Sequence, residues 1–393
     1  MTIQKITLLH LSLINGLGPD RIRRLYAYLK ENNKNIDEVY QYSISDFKAV
    51  GFSEHASLLT YNGLKDTTLL HQELDRLEKY NITILAWYED DYPSMLKTIH
   101  LPPVILYVQG TISHTSYVGI VGSRNGDRYG YDVVTSLVPD LVRAGVGIVS
   151  GGALGIDTCA HQATINAGGV TVVILGGGLL RPYPTSNKKL FSDIVSSGGA
   201  IVSSFPLLSE PVAGQFPARN RIIAGIAKMT VVIQAAAKSG ALITAEYALQ
   251  EGRAVGAVPG AIHNPLSAGC HTLIGQGARL ISSARDILDE CLIDVSGLDI
   301  AENVQTSFDI NSDGVKNTQK TAAALYNKKS TDGKEIPSHE DNPVLMHCEK
   351  PMTSSDLSLI MKVSEQSVNE MLFDLQLEGK VEQDFAGLWK KVQ

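Results

Sequence analysis

The chain has 393 residues, 44% apolar and 19% charged, with a net charge of -7. That length allows two or three domains, and the charge balance excludes bulk attraction for nucleic acid, so a polyanionic partner must be held by a local basic patch. Four cysteines (Cys159, Cys270, Cys291, Cys348) without a CxxC pair exclude a zinc knuckle and a disulfide frame.

No apolar run reaches the roughly 18 residues of a membrane helix, and the start MTIQKITLLH lacks the basic residues and cleavage site of a secretory signal. A cytoplasmic protein with no membrane partner is expected.

In chain order, residues 1–80 read as a helical region. Leu8, Leu9, Leu11 and Ile14, then Ile22, Leu25 and Leu29, keep helical spacing around GLGPD, and a second glycine-broken hinge follows at AVGF. Helix, Gly-apolar-Gly turn, helix is the pattern of a helix-hairpin-helix (SAM-like) region. Its turn could offer N–H groups to a phosphate, and a glycine there can equally be only a C-cap. Residues 82–110 hold a strand, a short helix and a second strand.

Between residues 117 and 259 one phrase recurs six times, a short Val/Ile-rich run halted at Gly, Ser, Ala or Pro. The last core positions, Val121, Val149, Leu175, Ser203, Ile233 and Val258, are spaced 25 to 30 residues apart. One strand plus one crossover helix has that length, and apolar runs without alternation predict strands covered on both faces. The expected fold is α/β, a Rossmann-like, doubly wound, mostly parallel sheet over residues 81–291. Ligands of such sheets bind beyond the carboxyl ends of the strands.

A polar flexible linker is expected over residues 292–340. Residues 341–393 have the layout of a small winged helix, whose second helix carries Glu365, Glu370 and Asp374. That charge speaks against groove insertion and for a partner-binding or packing role.

The strand ends supply the chemistry. Gly122, Ser123 and Arg124 put a hydroxyl, a guanidinium and N–H groups before a helix, a phosphate site. The spacing is not G-x-G-x-x-G and no acidic residue closes the next strand, so a nicotinamide cofactor is disfavoured, and no cofactor or metal is expected. After the third strand come GGG, Arg181, Lys188 and Lys189.

In QFPARNRII, Phe216 with Arg219, Asn220 and Arg221 could stack a base and clamp phosphates. Alternatively Phe216 plugs the core and the two arginines pair with carboxylates. Lys238, Ser239 and Gly240 stand at another helix start. Together Arg124, Arg181, Lys188, Lys189, Arg219, Arg221 and Lys238 could form one basic stripe along the strand ends. Asp157 and His161, four apart on one helical face, could be a base and its partner or could cap and pack. Binding is favoured over catalysis.

The motifs GSR, SGGALGIDTCAH, GGGLLRPYP, FPARNRIIAG, SGALITAEYAL, GRAVGAVPG and LIGQGA, in this order, resemble the DNA processing protein A (DprA, or Smf) family from about residue 92 to 288. The resemblance implies a non-enzymatic, homodimeric protein that binds single-stranded DNA. It also implies protection of incoming DNA and loading of a RecA-type recombinase in natural transformation. Its DNA contacts would fall on Ser123, Arg124, Lys188, Phe216, Arg219, Asn220, Arg221, Ser239 and Gly240.

The chain departs from the family pattern at Leu154 (usually Arg), Ser204 (where SE is usual before the FP segment), Gln234 (usually Glu) and His271 (usually Asn). The alternative is a nucleotide hydrolase similar to nucleoside-monophosphate phosphoribohydrolases, with Thr244 and Glu246 near the catalytic positions.

Overall fold

The computed structural model describes residues 1–113, 115–294 and 296, together with residues scattered through 352–391. The chain divides into two compact units, Met1–Ala301 and Glu302–Gln393.

The first unit begins with five helices: α1 (Ile3–Leu13), α2 (Pro19–Glu31), α3 (Ile44–Ala49), α4 (Glu54–Lys65) and α5 (Thr68–Lys79). Side-chain oxygens of Thr2, Ser43 and Ser53 accept N–H groups at the starts of α1, α3 and α4, and Pro19 opens α2, where a missing N–H costs nothing. Gly51, between α3 and α4, has φ +94°, a conformation that glycine adopts without strain.

The apolar faces of these helices share one core with the sheet, Leu8, Leu25 and Phe47 joining Tyr107, Val173 and Phe191. A buried carboxylate reinforces the seam: Glu73 on α5 accepts the Leu207 N–H at 2.6 Å and pairs with Arg76 at 3.1 Å.

The sheet has nine strands: β1 (Thr83–Ala86), β2 (Ile105–Gly110), β3 (Tyr117–Val121), β4 (Gly147–Ser150), β5 (Thr171–Ile174), β6 (Ala200–Ser203), β7 (Ala227–Val232), β8 (Ala254–Ala257) and β9 (Arg279–Leu280). Their order is β1-β2-β6-β5-β4-β3-β7-β8-β9, with only the β1–β2 and β2–β6 pairings antiparallel. The six runs read from the sequence are β3 to β8, and their ends fall within one residue of the expected positions.

Helices cover both faces. α7 (Arg128–Arg143), α8 (Ile156–Asn166) and α13 (Ala284–Glu290) pack on one side of β3, β4 and β7. α10 (Gln215–Ile226), α11 (Gly240–Gln250) and α12 (Ala268–Gly275) pack on the other. α6 (Ser94–Lys97) and α9 (Lys188–Ser196) complete the unit.

From β3 the chain winds outward through β4, β5 and β6, then crosses back to β7 and winds the other way. The strand order therefore reverses between β3 and β7, where the loops diverge and leave a crevice.

In the second unit a helix (Ser354–Met361) and an antiparallel pair, β10 (Val381–Gln383) and β11 (Trp389–Lys391), share a core of Leu357, Leu372, Val381 and Trp389. Almost all of the expected linker, and most of the expected second helix of the winged helix, lie outside the described residues. Among the described residues no helix is long and apolar enough to cross a membrane.

Candidate nucleic-acid interface

Three loops meet at the crevice. The loop after β3 is pressed onto the start of α8: a Cβ on Gly122 would stand 2.8 Å from Ile156, so that position admits no larger residue without movement. Ser123 is fixed by its backbone, its N–H donating to Gln234 O at 2.8 Å and its carbonyl accepting the Ile156 N–H at 3.1 Å. Its half-exposed hydroxyl accepts the Asn125 N–H at 3.1 Å. Arg124 is also half-exposed, near enough to Arg219 that the two positive charges repel.

The loop after β7 carries Lys238, exposed, and Ser239, whose hydroxyl caps α11 by accepting the Ala241 N–H at 3.3 Å. A Cβ on Gly240 would meet nothing within 4 Å, so the start of α11 is open to a ligand.

Asp127 laces the loops together. It caps α7 by accepting the Gly130 N–H at 3.1 Å, and it accepts the side-chain amides of Gln234 at 2.8 Å and Asn264 at 2.7 Å. Its pKa is lowered: burial pushes it up, and the hydrogen bonds from Gly130, Gln234 and Asn264 outweigh that. Farther along the sheet, Lys188 and Lys189 are exposed at the start of α9, and Arg181 pairs with Glu210 at 3.3 Å. Asn187 ties this segment to the β4 loop, donating to Gly152 O at 3.0 Å and Thr158 Oγ1 at 2.8 Å.

The structure corrects the picture of an exposed QFPARNRII segment. Phe216 is buried beneath the glycine turn after β5, where a Cβ on Gly176 would come within 3.0 Å of its ring. Arg219 is buried too, donating to the carbonyls of Gly151 and Ile174 at the ends of β4 and β5.

Asp157 is its electrostatic partner and accepts the N–H groups of Gly151 and Ala153 at 3.1 and 3.3 Å. Burial lowers the Arg219 pKa to about 10, which leaves it protonated at neutral pH, and raises that of Asp157 against the pull of the arginine. Arg221 turns to the far end of α11, 3.8 Å from Glu251 and 4.8 Å from the centre of the Tyr247 ring. Asn220 donates to Gly240 O at 3.4 Å, supporting the start of α11 from behind.

Of the seven cations expected in a basic stripe, Arg124, Arg181, Lys188, Lys189 and Lys238 are exposed or half-exposed at strand ends, whereas Arg219 is buried and Arg221 turns to Glu251. For Arg219 the physical reason is that α10 is the crossover helix, buried where it passes beneath the strand ends, so the guanidinium satisfies backbone carbonyls there, whereas Arg221 finds a carboxylate instead.

Two further readings are decided by burial. His161 lies in the core with Nδ1 2.7 Å from Thr171 Oγ1, and Asp157 serves the β4 loop, so both have structural work. Thr244 is buried whereas Glu246 is exposed and accepts from Gln250 at 3.2 Å, so the pair needed for a hydrolase does not converge.

Asp127 and Asn264 were not singled out by the sequence reading. The first could have been found as an N-cap before a helix start, the second only from the fold.

Residues 83–292 match the family model described as DNA recombination-mediator protein A. The chain is 43% identical over 202 residues to DNA processing protein DprA of Bacillus subtilis, covering 51% of this chain and 68% of that protein. It is 35% identical over 283 residues to protein Smf of a Synechocystis strain, covering 70% of each. The crystal structure of DprA from Streptococcus pneumoniae superposes with a TM-score of 0.64 at 32% identity, covering 74% of this chain and 98% of that one. With these motifs on this sheet, and a family match spanning more than half of its length, the chain belongs to the DNA recombination-mediator protein A (DprA/Smf) family.

Proposed function

We propose that this protein binds single-stranded DNA along the carboxyl ends of β3, β5 and β7, without catalysing a reaction, and delivers the strand to a RecA-type recombinase as a homodimer in recombination or transformation. The observation that carries the reading is the series of exposed or half-exposed phosphate-binding groups on those three loops: Ser123 and Arg124, Lys188, then Lys238 and Ser239 at the open start of α11. Successive footholds of this kind suit a polyanionic strand better than one small nucleotide. Membership of a recombination-mediator family supports the same reading.

Protection of incoming DNA follows from occupancy, because a strand held in this row is shielded from nucleases. Titration of labelled oligo-dT against duplex at several salt concentrations tests the reading. Tighter binding to oligo-dT is expected, with affinity falling steeply as salt rises and largely retained after removal of residues 292–393. Release of a base from a nucleotide, without oligomer binding, would overturn it. Recombinase loading is checked by strand exchange on oligomer already coated with single-strand-binding protein.

A further inference from the structure

With Phe216 buried, the phosphate row above has no obvious place for the bases. The loops at the crevice offer one. Tyr129, in the first turn of α7, is 44% exposed, although its hydroxyl is fixed by donating to Pro259 O at 2.6 Å. Among the described residues of the sheet region no other tyrosine, phenylalanine or tryptophan is as open; Tyr183 and Phe205, at the ends of β5 and β6, are only part-exposed.

The hydroxyl bond spans from α7 to the loop after β8, so the ring lies across the edge of the crevice. The loop is held independently as well: His271 Nε2 lies 3.1 Å from Gly260 O, and Asn264 reaches Asp127. At the tip of the same loop stands Ile262, 83% exposed. A rigid, half-bare aromatic has lost its side-chain entropy already, which lowers the cost of stacking a planar ligand on it.

Its charged setting selects the ligand. Arg128, next in the chain, has a side chain 94% exposed and only a long 3.6 Å pairing with Asp132. Arg124 and Lys238 lie on the two loops that Asp127, through Gln234, holds beside Tyr129. An aromatic face with an exposed arginine next in the chain and further cations on the adjoining loops fits a base whose phosphates run past, and does not fit a neutral hydrophobic peptide.

We propose that Tyr129 is a base-stacking platform for one unpaired nucleobase of the bound strand, with Ile262 bordering it. This rests on the single-strand reading above and adds where a base sits.

The test is fluorescence anisotropy with the full chain, using oligo-dT and a matched oligomer of abasic sites at several salt concentrations. Tyr129→Ala is expected to weaken oligo-dT binding roughly 10-fold, with the salt slope unchanged and the abasic oligomer bound as by the unsubstituted chain. Tyr129→Phe, which keeps the ring and loses the bond to Pro259, is expected to retain most of the affinity. Tyr129→Leu fills the same space without a π face and should behave as the alanine variant, which guards against a mere packing defect.

Equal oligo-dT affinity in Tyr129→Leu and the unsubstituted chain would overturn the proposal, as would an equal loss on the abasic strand. Failure of the unsubstituted chain to bind oligo-dT at all is a different result and would sink the single-strand reading itself.

Discussion

Gln234 and Asp127 exchange two hydrogen bonds: the Asp127 N–H donates to Gln234 Oε1 at 3.1 Å, and Gln234 Nε2 donates to Asp127 Oδ1 at 2.8 Å. The amide accepts through one atom and donates through the other, which an ionised carboxylate cannot do, and a Cβ on Gly130 would collide with it. This pair joins the end of β7 to the start of α7. The amide at residue 234 thus has a local role: a carboxylate there would face that of Asp127.

Gln234→Glu is therefore expected to lower stability by about 2 kcal/mol at neutral pH, since it buries two like charges in contact. Asp127→Ser added to Gln234→Glu should recover most of that loss, because a hydroxyl can donate to the new carboxylate. Urea denaturation of the two variants and of Asp127→Ser alone measures the coupling.

Asp127 also predicts an acid response. Its folded pKa lies below the unfolded value near 4, so its contribution to stability is fully present above about pH 4 and is lost as pH falls through the folded value. Melting temperatures between pH 2 and 6 should drop less steeply at the acid end in Asp127→Asn than in the unsubstituted chain, whatever their difference at pH 6.

His161 acts in a separate window. Thr171 Oγ1 spends its proton on Ile148 O at 2.9 Å, so it accepts from His161 Nδ1–H, and Nε2 is left buried without a partner. Burial lowers the pKa to about 3, so the fold holds the ring neutral while the unfolded chain protonates it near pH 6.5. Stability is expected to fall as pH drops from about 6.5 towards 3, by up to about 1.4 kcal/mol per pH unit from this one group. His161→Gln should show a shallower slope between pH 4.5 and 6; an identical slope would contradict the buried neutral ring.

Phe216 and Arg219 should behave as parts of the core. Phe216→Ala is expected to cost about 3 kcal/mol through the cavity it leaves. Arg219→Ala is expected to cost about 3–5 kcal/mol, because it strands the Asp157 carboxylate and two strand-end carbonyls. Urea midpoints check both, and a variant that loses DNA affinity at an unchanged midpoint would show that the side chain faces the ligand instead.

Lys238 is the opposite case, exposed and structurally idle. Lys238→Ala should leave the urea midpoint unchanged and flatten the plot of log affinity for oligo-dT against log salt by about 0.7, the loss of one phosphate contact on a single strand. Unchanged slope and affinity would remove it from the interface.

The sequence by itself determined the elements and their class. Val/Ile runs stopped by Gly, Ser or Ala at one strand plus one helix apart leave little choice but a parallel sheet with function at the strand ends, because periodicity and chain reach are local properties. The placement of Ser123, Ser239 and Gly240 was legible for the same reason: each follows a strand and stands at or before a helix start.

Tertiary structure decided which way the side chains of α10 face. In QFPARNRII the residue types suit a nucleic-acid clamp and a buried polar plug equally, and only the crossing of α10 beneath β4 and β5 puts Phe216 and Arg219 inside. The same holds for Asp127, whose partners Gln234 and Asn264 are 107 and 137 residues away. Sequence spacing carries local geometry, whereas a contact over such a distance exists only once the sheet has closed around it.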